Sequence, residues 1–297
     1  MYNIVQNKYN FEREGPMNFF SPADVAQNYI SIGKSKVNTP TFKLIVLAIM
    51  AGLFIAIGGI AATTVAVAVK PASLGKFLGA IVFPGGLTMV LIAGSELFTG
   101  NCLLIVPWLE KAVSLKGVIK NLVLVYIGNF IGSILLAAGI VFSHQVALFD
   151  NGVAVSVIST AVAKCNISFG DALIKGILCN FLVCIAVWIS FAAKDIVGKI
   201  IGLFFPILMF VLCGFEHSVA NMYYLFAGLF AKAVPAFADA AIAAGVDPSA
   251  ITAGNMFIGN LLPVTIGNII GGAICVGLPY WYIYLRRKKK MDILTED

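Results

Sequence analysis

Six long apolar segments, separated by short polar ones, make up most of this 297-residue chain. Each segment has the roughly 20 apolar residues needed to cross the hydrocarbon core of a bilayer as a helix. With 60% hydrophobic and 11% charged residues, the composition also indicates an all-α integral membrane protein. The six predicted transmembrane helices cover residues 44–69, 76–108, 121–142, 176–193, 200–231 and 256–285.

The second and fifth segments are interrupted by polar residues. Residues 94–101 and 214–221 share the pattern Gly-x-Glu-x-x-x-small-Asn, and Pro84-Gly85-Gly86 also interrupts the second segment. Proline and glycine in this arrangement disfavour one continuous helix. The sequence therefore predicts that spans 2 and 5 are each broken into two half-helices around a loop.

The two halves of the chain repeat each other. Residues 127–132 in span 3 and residues 266–271 in span 6 both have the sequence Ile-Gly-Asn-x-Ile-Gly. Each half has three spans, an odd number, so the halves must have opposite orientations in the membrane. We expect the glycines to permit close helix packing, and Asn129 and Asn268 to bridge helices or brace the broken loops.

The chain ends and the charges define the remaining organisation. We expect a polar tail at 1–16, an amphipathic helix region at 17–43, a channel domain at 44–285 and a basic tail at 286–297. Fifteen of the 20 Lys and Arg residues lie on the side that holds both termini, which the positive-inside rule makes cytoplasmic. The charge of +6 therefore reports topology rather than nucleic-acid binding.

Ionisable residues at membrane depth are costly and usually functional. Two half-helix N-termini directed at the breaks favour an anion, His217 adds a titratable donor, and Thr99 adds a hydroxyl. Glu216 could orient the His217 ring or accept from backbone N–H groups of the break. Lys164, in the long connection 143–175, could concentrate anions at a vestibule or be a solvated loop lysine.

Large apolar side chains flank both breaks, and constrictions made by them would exclude a naked ion while admitting a weak acid in its neutral form. The flanking apolar residues are Phe83, Leu87, Leu97, Phe98 and Phe210.

The six cysteines are scattered without a CxxC pair, so we expect no metal, cofactor or disulfide framework.

Several motifs resemble the formate/nitrite transporter family in order and spacing, from Met17 to Leu285. Gly-Ser-Glu in the first motif is more similar to nitrite-type members, whereas the motif in span 6 is more similar to formate-type members. This mixture also fits a third branch, such as the hydrosulfide channels. The matching segments are residues 19–22, 93–100, 175–184, 214–222 and 263–272.

The resemblance implies an aquaporin-like, inverted 3+3 fold, a homopentamer in the cell (inner) membrane, and passage of formate, nitrite or hydrosulfide. It implies that His217 is the central pore histidine, Thr99 its partner and Lys164 the vestibule lysine. Asn180 would brace the centre, and Val183 would join the five apolar residues in two constrictions.

The function expected is thus a channel or transporter for small monovalent weak-acid anions, and not an enzyme. A neutral-solute or water channel on the same fold is the alternative, although neither break contains the Asn-Pro-Ala sequence of an aquaporin. An electron carrier is disfavoured because only one histidine lies inside an apolar segment.

Overall fold

The computed structural model describes residues 18–286. The expectations for the tail at 1–16, and for residues 287–297 of the basic tail, fall outside this range. The described chain is folded almost entirely into helices. We number them α1 (Pro22–Asn38), α2 (Thr41–Ala66), α3 (Ala72–Gly94), α4 (Phe98–Leu109), α5 (Leu115–Phe142), α6 (Gly152–Cys165), α7 (Phe169–Ala192), α8 (Ile196–Leu212), α9 (Ser218–Lys232), α10 (Pro235–Ala243) and α11 (Asn255–Tyr284).

Five of these helices, α2, α3, α5, α7 and α11, are long and apolar enough to cross a membrane. The predicted fifth span is present as α8 and α9, which are separated by five residues. The predicted second span is α3 followed by α4 after a three-residue loop. The all-α membrane fold with broken spans 2 and 5 is therefore confirmed.

Helix α1 begins where its capping sequence predicts. The Ser21 hydroxyl accepts a hydrogen bond from the Asp24 N–H, and the Asp24 carboxylate accepts one from the Ser21 N–H, which together form a capping box. Tyr29 is fully buried against Trp188 and Phe191 of α7. The amphipathic helix thus packs against the bundle through its apolar face.

Each half of the repeat contains a close helix pair of the same kind. A Cβ atom at Gly132 in α5 would overlap the carbonyl oxygen of Ile49 in α2. In the second half, a Cβ atom at Gly271 in α11 would overlap the carbonyl oxygen of Ile177 in α7. The repeated glycines therefore permit backbone contact between helices, as small residues do in membrane bundles.

Three features differ from the prediction, the first of which is that span 3 begins at Leu115 rather than 121. The Pro84-Gly85-Gly86 segment does not open a break, because α3 continues through it to Gly94. The small Gly86 is needed instead for packing, since a Cβ there would lie 2.9 Å from the carbonyl oxygen of Phe54 in α2. Span 4 begins at Phe169 rather than 176, so Lys175 is inside α7.

Candidate functional site

The two breaks have the same backbone construction. Gly94 and Gly214 each adopt a positive φ, +85° and +69°, that other residues rarely tolerate. The backbone N–H of the residue two positions after each glycine donates a hydrogen bond to a neighbouring helix. The N–H of Glu96 donates to the carbonyl of Leu47 (3.2 Å), and the N–H of Glu216 donates to that of Lys175 (3.3 Å).

Asparagines from spans 3 and 6 brace the breaks, as the sequence predicts. The Asn129 amide oxygen accepts from the Phe98 N–H (2.9 Å), and its NH₂ donates to the carbonyl of Glu96 (2.9 Å). The Asn268 oxygen accepts from the Ser218 N–H (2.8 Å), and its NH₂ donates to the carbonyl of Glu216 (3.0 Å). Each asparagine thus satisfies one donor and one acceptor that the break exposes.

A polar network beside each break links a lysine, a glutamate and two asparagines. In both networks the lysine ammonium forms an ion pair with the glutamate carboxylate. The first asparagine donates one hydrogen bond to the glutamate and one to the second asparagine. The second asparagine donates to the backbone carbonyl of the lysine. The matching residues are Lys36 with Lys164, Glu96 with Glu216, Asn101 with Asn221, and Asn121 with Asn260.

The Glu216 carboxylate is held in this network through its Oε2 atom. It lies 2.8 Å from the Lys164 ammonium and accepts a 2.6 Å hydrogen bond from the Asn221 amide. Both expectations for this side chain, orienting the His217 ring or capping backbone N–H groups, are therefore wrong. A buried carboxylate requires a counter-charge. Lys164 supplies it, although it is 52 positions from Glu216 in the chain.

Lys164 lies in the last turn of α6, not in a loop. Its side chain is only 14% exposed, and its ammonium also lies 5.4 Å from the centre of the Tyr224 ring. The alternative of a solvated loop lysine is therefore wrong. The expected long loop at 143–175 instead contains a 14-residue helix that delivers this ammonium to the break.

Thr99 and His217 bring the two breaks into contact. The Thr99 Oγ1 and His217 Nε2 atoms lie 2.9 Å apart, although the residues are 118 positions apart in the chain. Both side chains are buried. The Phe210 ring stacks on the His217 ring at 5.9 Å and meets the Phe83 ring edge-on at 5.6 Å.

The hydrogen bonds of His217 determine where its proton lies. Its Nδ1 accepts from the Ala220 N–H (3.1 Å), which makes His217 the N-cap of α9. A neutral imidazole that accepts at Nδ1 carries its proton on Nε2, so Nε2 donates to the Thr99 oxygen. The Thr99 hydroxyl proton is then available to another acceptor.

Asn180 lies beside this contact. Its amide donates to the carbonyl of Thr99 (3.1 Å) and to that of Asn268. The side chain thereby connects the first break to the asparagine that braces the second. Asn180 is completely buried, and its position agrees with the bracing role that the resemblance implies.

Two cavities of very different size approach the contact. A cavity of about 1190 Å³ is lined by Phe83, Phe210, His217 and Lys164, among others. A cavity of about 20 Å³ is lined by Leu87 and Leu97, among others. Four of the six predicted constriction residues thus line cavities next to the breaks.

The other two predicted constriction residues lie elsewhere. Phe98 packs edge-on against Tyr126, with ring centres 4.9 Å apart, and Val183 is 1% exposed. Neither side chain lines either of these two cavities in the described part of the chain. Their place in a constriction stays a prediction.

The sequence did not predict Lys36, Asn121 or Asn260 as network members. Each of the two asparagines is an amide within an apolar span, which is a signal for a buried hydrogen bond but does not identify its partner. Lys36 resembles any other lysine at the end of an amphipathic helix. Only the repeat relation to Lys164 would have identified it.

Comparison with known proteins places this architecture in a family. The family model described as formate/nitrite transporter matches residues 23–282. A probable formate transporter from Methanothermobacter thermautotrophicus is 38% identical over 286 residues, which cover 90% of this chain and 98% of that protein. The formate channel FocA of Escherichia coli (strain K12) is 35% identical over 277 residues, covering 92% and 97%.

A solved structure shares the fold. The structure described as a pentameric formate channel with formate bound superimposes with a TM-score of 0.74 and 33% sequence identity. The match covers 83% of this chain and 98% of that one. The agreement extends over nearly the whole length of both sequence and structure, so this chain belongs to the formate/nitrite transporter family.

Proposed function

We propose that the protein is a channel for small monovalent anions of weak acids, with formate as the first substrate. The observation that carries this proposal is the Thr99–His217 contact, where two broken helices meet beneath the Phe83–Phe210 pair. Helices α4 and α9 both begin at the breaks, and helix N-termini favour negative charge.

The geometry suggests how such an anion could pass. A bare anion is strongly disfavoured between the Phe83 and Phe210 rings, because an apolar constriction replaces none of its hydration. A weak acid that takes up a proton can cross as a neutral molecule. The Thr99 hydroxyl would then bind the transient species, while His217 stays neutral because protonation at Nδ1 would remove the cap from α9.

Formate is the leading substrate because two relatives and one similar structure are named for it. Nitrite and hydrosulfide share its small size and single charge, so we include both as substrates to be tested. A neutral-solute or water channel is the second candidate, since the apolar Phe83–Phe210 pair favours uncharged solutes. We propose transport across the membrane, not a chemical reaction, as the function.

The assembly and orientation complete the proposal. One similar structure is described as pentameric, and α5 exposes a row of apolar side chains that could contact lipid or a second copy. We propose a homopentamer in the cell membrane with both termini cytoplasmic, and native mass spectrometry would count the copies. The exposed row on α5 is Leu115, Ile119, Val123, Ile127, Ile131 and Leu135.

The decisive experiment is uptake of formate, nitrite and hydrosulfide into proteoliposomes between pH 5 and 8. We expect wild-type flux to rise as pH falls. His217→Phe should lower it strongly, because the substitution removes the hydrogen bond that holds the Thr99 hydroxyl and the cap of α9. His144→Asn is the control, because Asn tolerates the positive φ of 61° there.

Two results would argue against the proposal. If no anion enters faster than into empty liposomes while osmotic shrinkage is accelerated, the water-channel candidate replaces it. If His217→Phe and His144→Asn carry formate equally at every pH, the Thr99–His217 contact is not the site of passage.

A further inference from the structure

The larger cavity carries more positive charge than the sequence analysis assigned to it. Three lysines line it, Lys76, Lys164 and Lys175, together with the single carboxylate of Glu216. Lys164 and Glu216 form an ion pair at 2.8 Å, so their charges largely cancel. The two other lysines make no ion pair or side-chain hydrogen bond among the described residues. They therefore determine the net charge of the cavity.

Lys76 lies on the path from the cavity mouth to the constriction. It shares one face of α3 with Gly79 and Phe83, all three of which line the cavity at i, i+3 and i+7. Seven residues of helix put the Lys76 backbone about 10 Å along the axis from Phe83. The Lys76 ammonium also lies 4.0 Å from the point where a Cβ on Gly214 would stand. This lysine therefore lies directly above the second break.

Lys175 lines the cavity from α7. Its carbonyl accepts the hydrogen bond from the Glu216 N–H, so its backbone is fixed beside the break. Its side chain is half-buried and lines the same cavity. Because Lys175 is in the second turn of α7, its position is as well defined as that of the helix.

The smaller cavity on the other side of the contact differs in charge. Its one lysine, Lys36, lies 2.8 Å from one Glu96 oxygen and 2.9 Å from the other. It also donates to the Asn101 amide oxygen (3.0 Å). Each half of the repeat thus has a neutralised lysine, but of these two cavities only the large one is lined by lysines that make no ion pair among the described residues.

We propose that Lys76 and Lys175 are the residues that collect anions in the large cavity, and that Lys164 contributes little net charge because Glu216 neutralises it. This inference rests on the proposed function and adds two residues that determine how fast the substrate is captured. Unpaired charges lining a cavity raise the local concentration of counter-ions and the rate of association.

The expected effect follows from Coulomb's law. A unit charge about 10 Å from an anion in water changes the local anion concentration about twofold. Removing either lysine should therefore lower formate flux about twofold, and removing both about fourfold. The effect should be largest at about 0.01 M ionic strength, where the Debye length is about 30 Å, and should vanish near 1 M, where it is about 3 Å.

The test compares formate flux at these two ionic strengths for Lys76→Gln, Lys175→Gln and the double variant. Lys70→Gln is the matched control, because Lys70 is exposed at the same end of the bundle and does not line the cavity. Lys76→Arg should retain the wild-type salt dependence. The Lys164→Met/Glu216→Gln pair should retain it too, since it removes no net charge.

The outcomes separate the two proposals. If the Lys76→Gln/Lys175→Gln variant carries formate as fast as Lys70→Gln at low ionic strength, the lysine proposal is wrong even though the channel functions. Loss of salt dependence in Lys164→Met/Glu216→Gln would also overturn it, by showing that Lys164 supplies the charge. If wild-type protein carries no anion at all, the proposed function itself fails.

Discussion

The ion pair between Lys164 and Glu216 should be essential to the stability of the second break. We expect Lys164→Met to destabilise the protein more than Glu216→Gln, and the double variant to recover most of the loss. The reason is that removing one member of a buried pair leaves an uncompensated charge, whereas removing both does not. The side chains are only 14% and 10% exposed.

The contacts set the magnitudes. After Lys164→Met, the Glu216 carboxylate retains only the 2.6 Å hydrogen bond from Asn221, and the cost should be about 3–5 kcal/mol. After Glu216→Gln, the amide oxygen can still accept from Asn221 and the lysine can reach the cavity, so about 1–2 kcal/mol is expected. The double variant should also cost about 1–2 kcal/mol, so the coupling, the sum of the two single costs minus the cost of the double variant, is about 3–5 kcal/mol.

A thiol-reactive dye can measure unfolding, because buried cysteines react only when the bundle opens. At about 2–4 °C per kcal/mol, Lys164→Met should melt about 6–20 °C below the parent, and the double variant clearly above Lys164→Met. The parent should carry Cys213→Ser and Cys275→Ser, since Cys213 is exposed and Cys275 is partly exposed. The reporting cysteines are Cys102, Cys165, Cys179 and Cys184.

The equivalent pair, Lys36 and Glu96, provides a second cycle in the same protein, and Lys70→Met controls for loss of a surface charge. If Lys164→Met melts with the parent, or the two single effects simply add in the double variant, the ion pair does not hold the break. The assignment of Lys164 as a neutralised residue would then be wrong as well.

Two further predictions concern the break and the constriction. Asn268→Ala removes three hydrogen bonds, to Gly176, Glu216 and Ser218. At about 0.6 kcal/mol each within a membrane, the free energy of unfolding should fall by about 2 kcal/mol, and formate flux should fall as well. An unchanged melting temperature would contradict the bracing role. Phe210→Ala removes the ring between Phe83 and His217, so osmotic shrinkage of proteoliposomes should accelerate; water permeability at the parent level would show that Phe210 does not restrict the path.

Segment-level features follow from local properties of the sequence. Apolar length identifies the spans, and the Gly-x-Glu-x-x-x-small-Asn pattern locates both breaks, because a Glu inside an apolar segment is too costly for a uniform helix. Ser21 and Asp24 identify the start of α1 through a capping box. Pro84-Gly85-Gly86 disrupts the helix less than its composition predicts, and its Gly86 permits packing against α2.

Side-chain partners depended on contacts that are distant in the sequence. The family motifs paired Thr99 with His217, but the residues of the breaks placed each side chain only within its own break. The partner of Glu216 was misjudged because His217 is its neighbour in the chain, whereas Lys164 is 52 positions away. Sequence proximity indicates which groups can meet locally, not which charge is brought into contact by packing.

The sequence by itself determined an inverted repeat of three-helix halves, broken at equivalent glycines and braced by equivalent asparagines. Hydrophobic periodicity and backbone requirements are local, so one sequence is enough to establish them. Only the tertiary structure decided which charges are neutralised and which are not, because Lys36, Lys76, Lys164 and Lys175 look alike along the chain. Their difference arises from whether folding places a carboxylate within ion-pair distance.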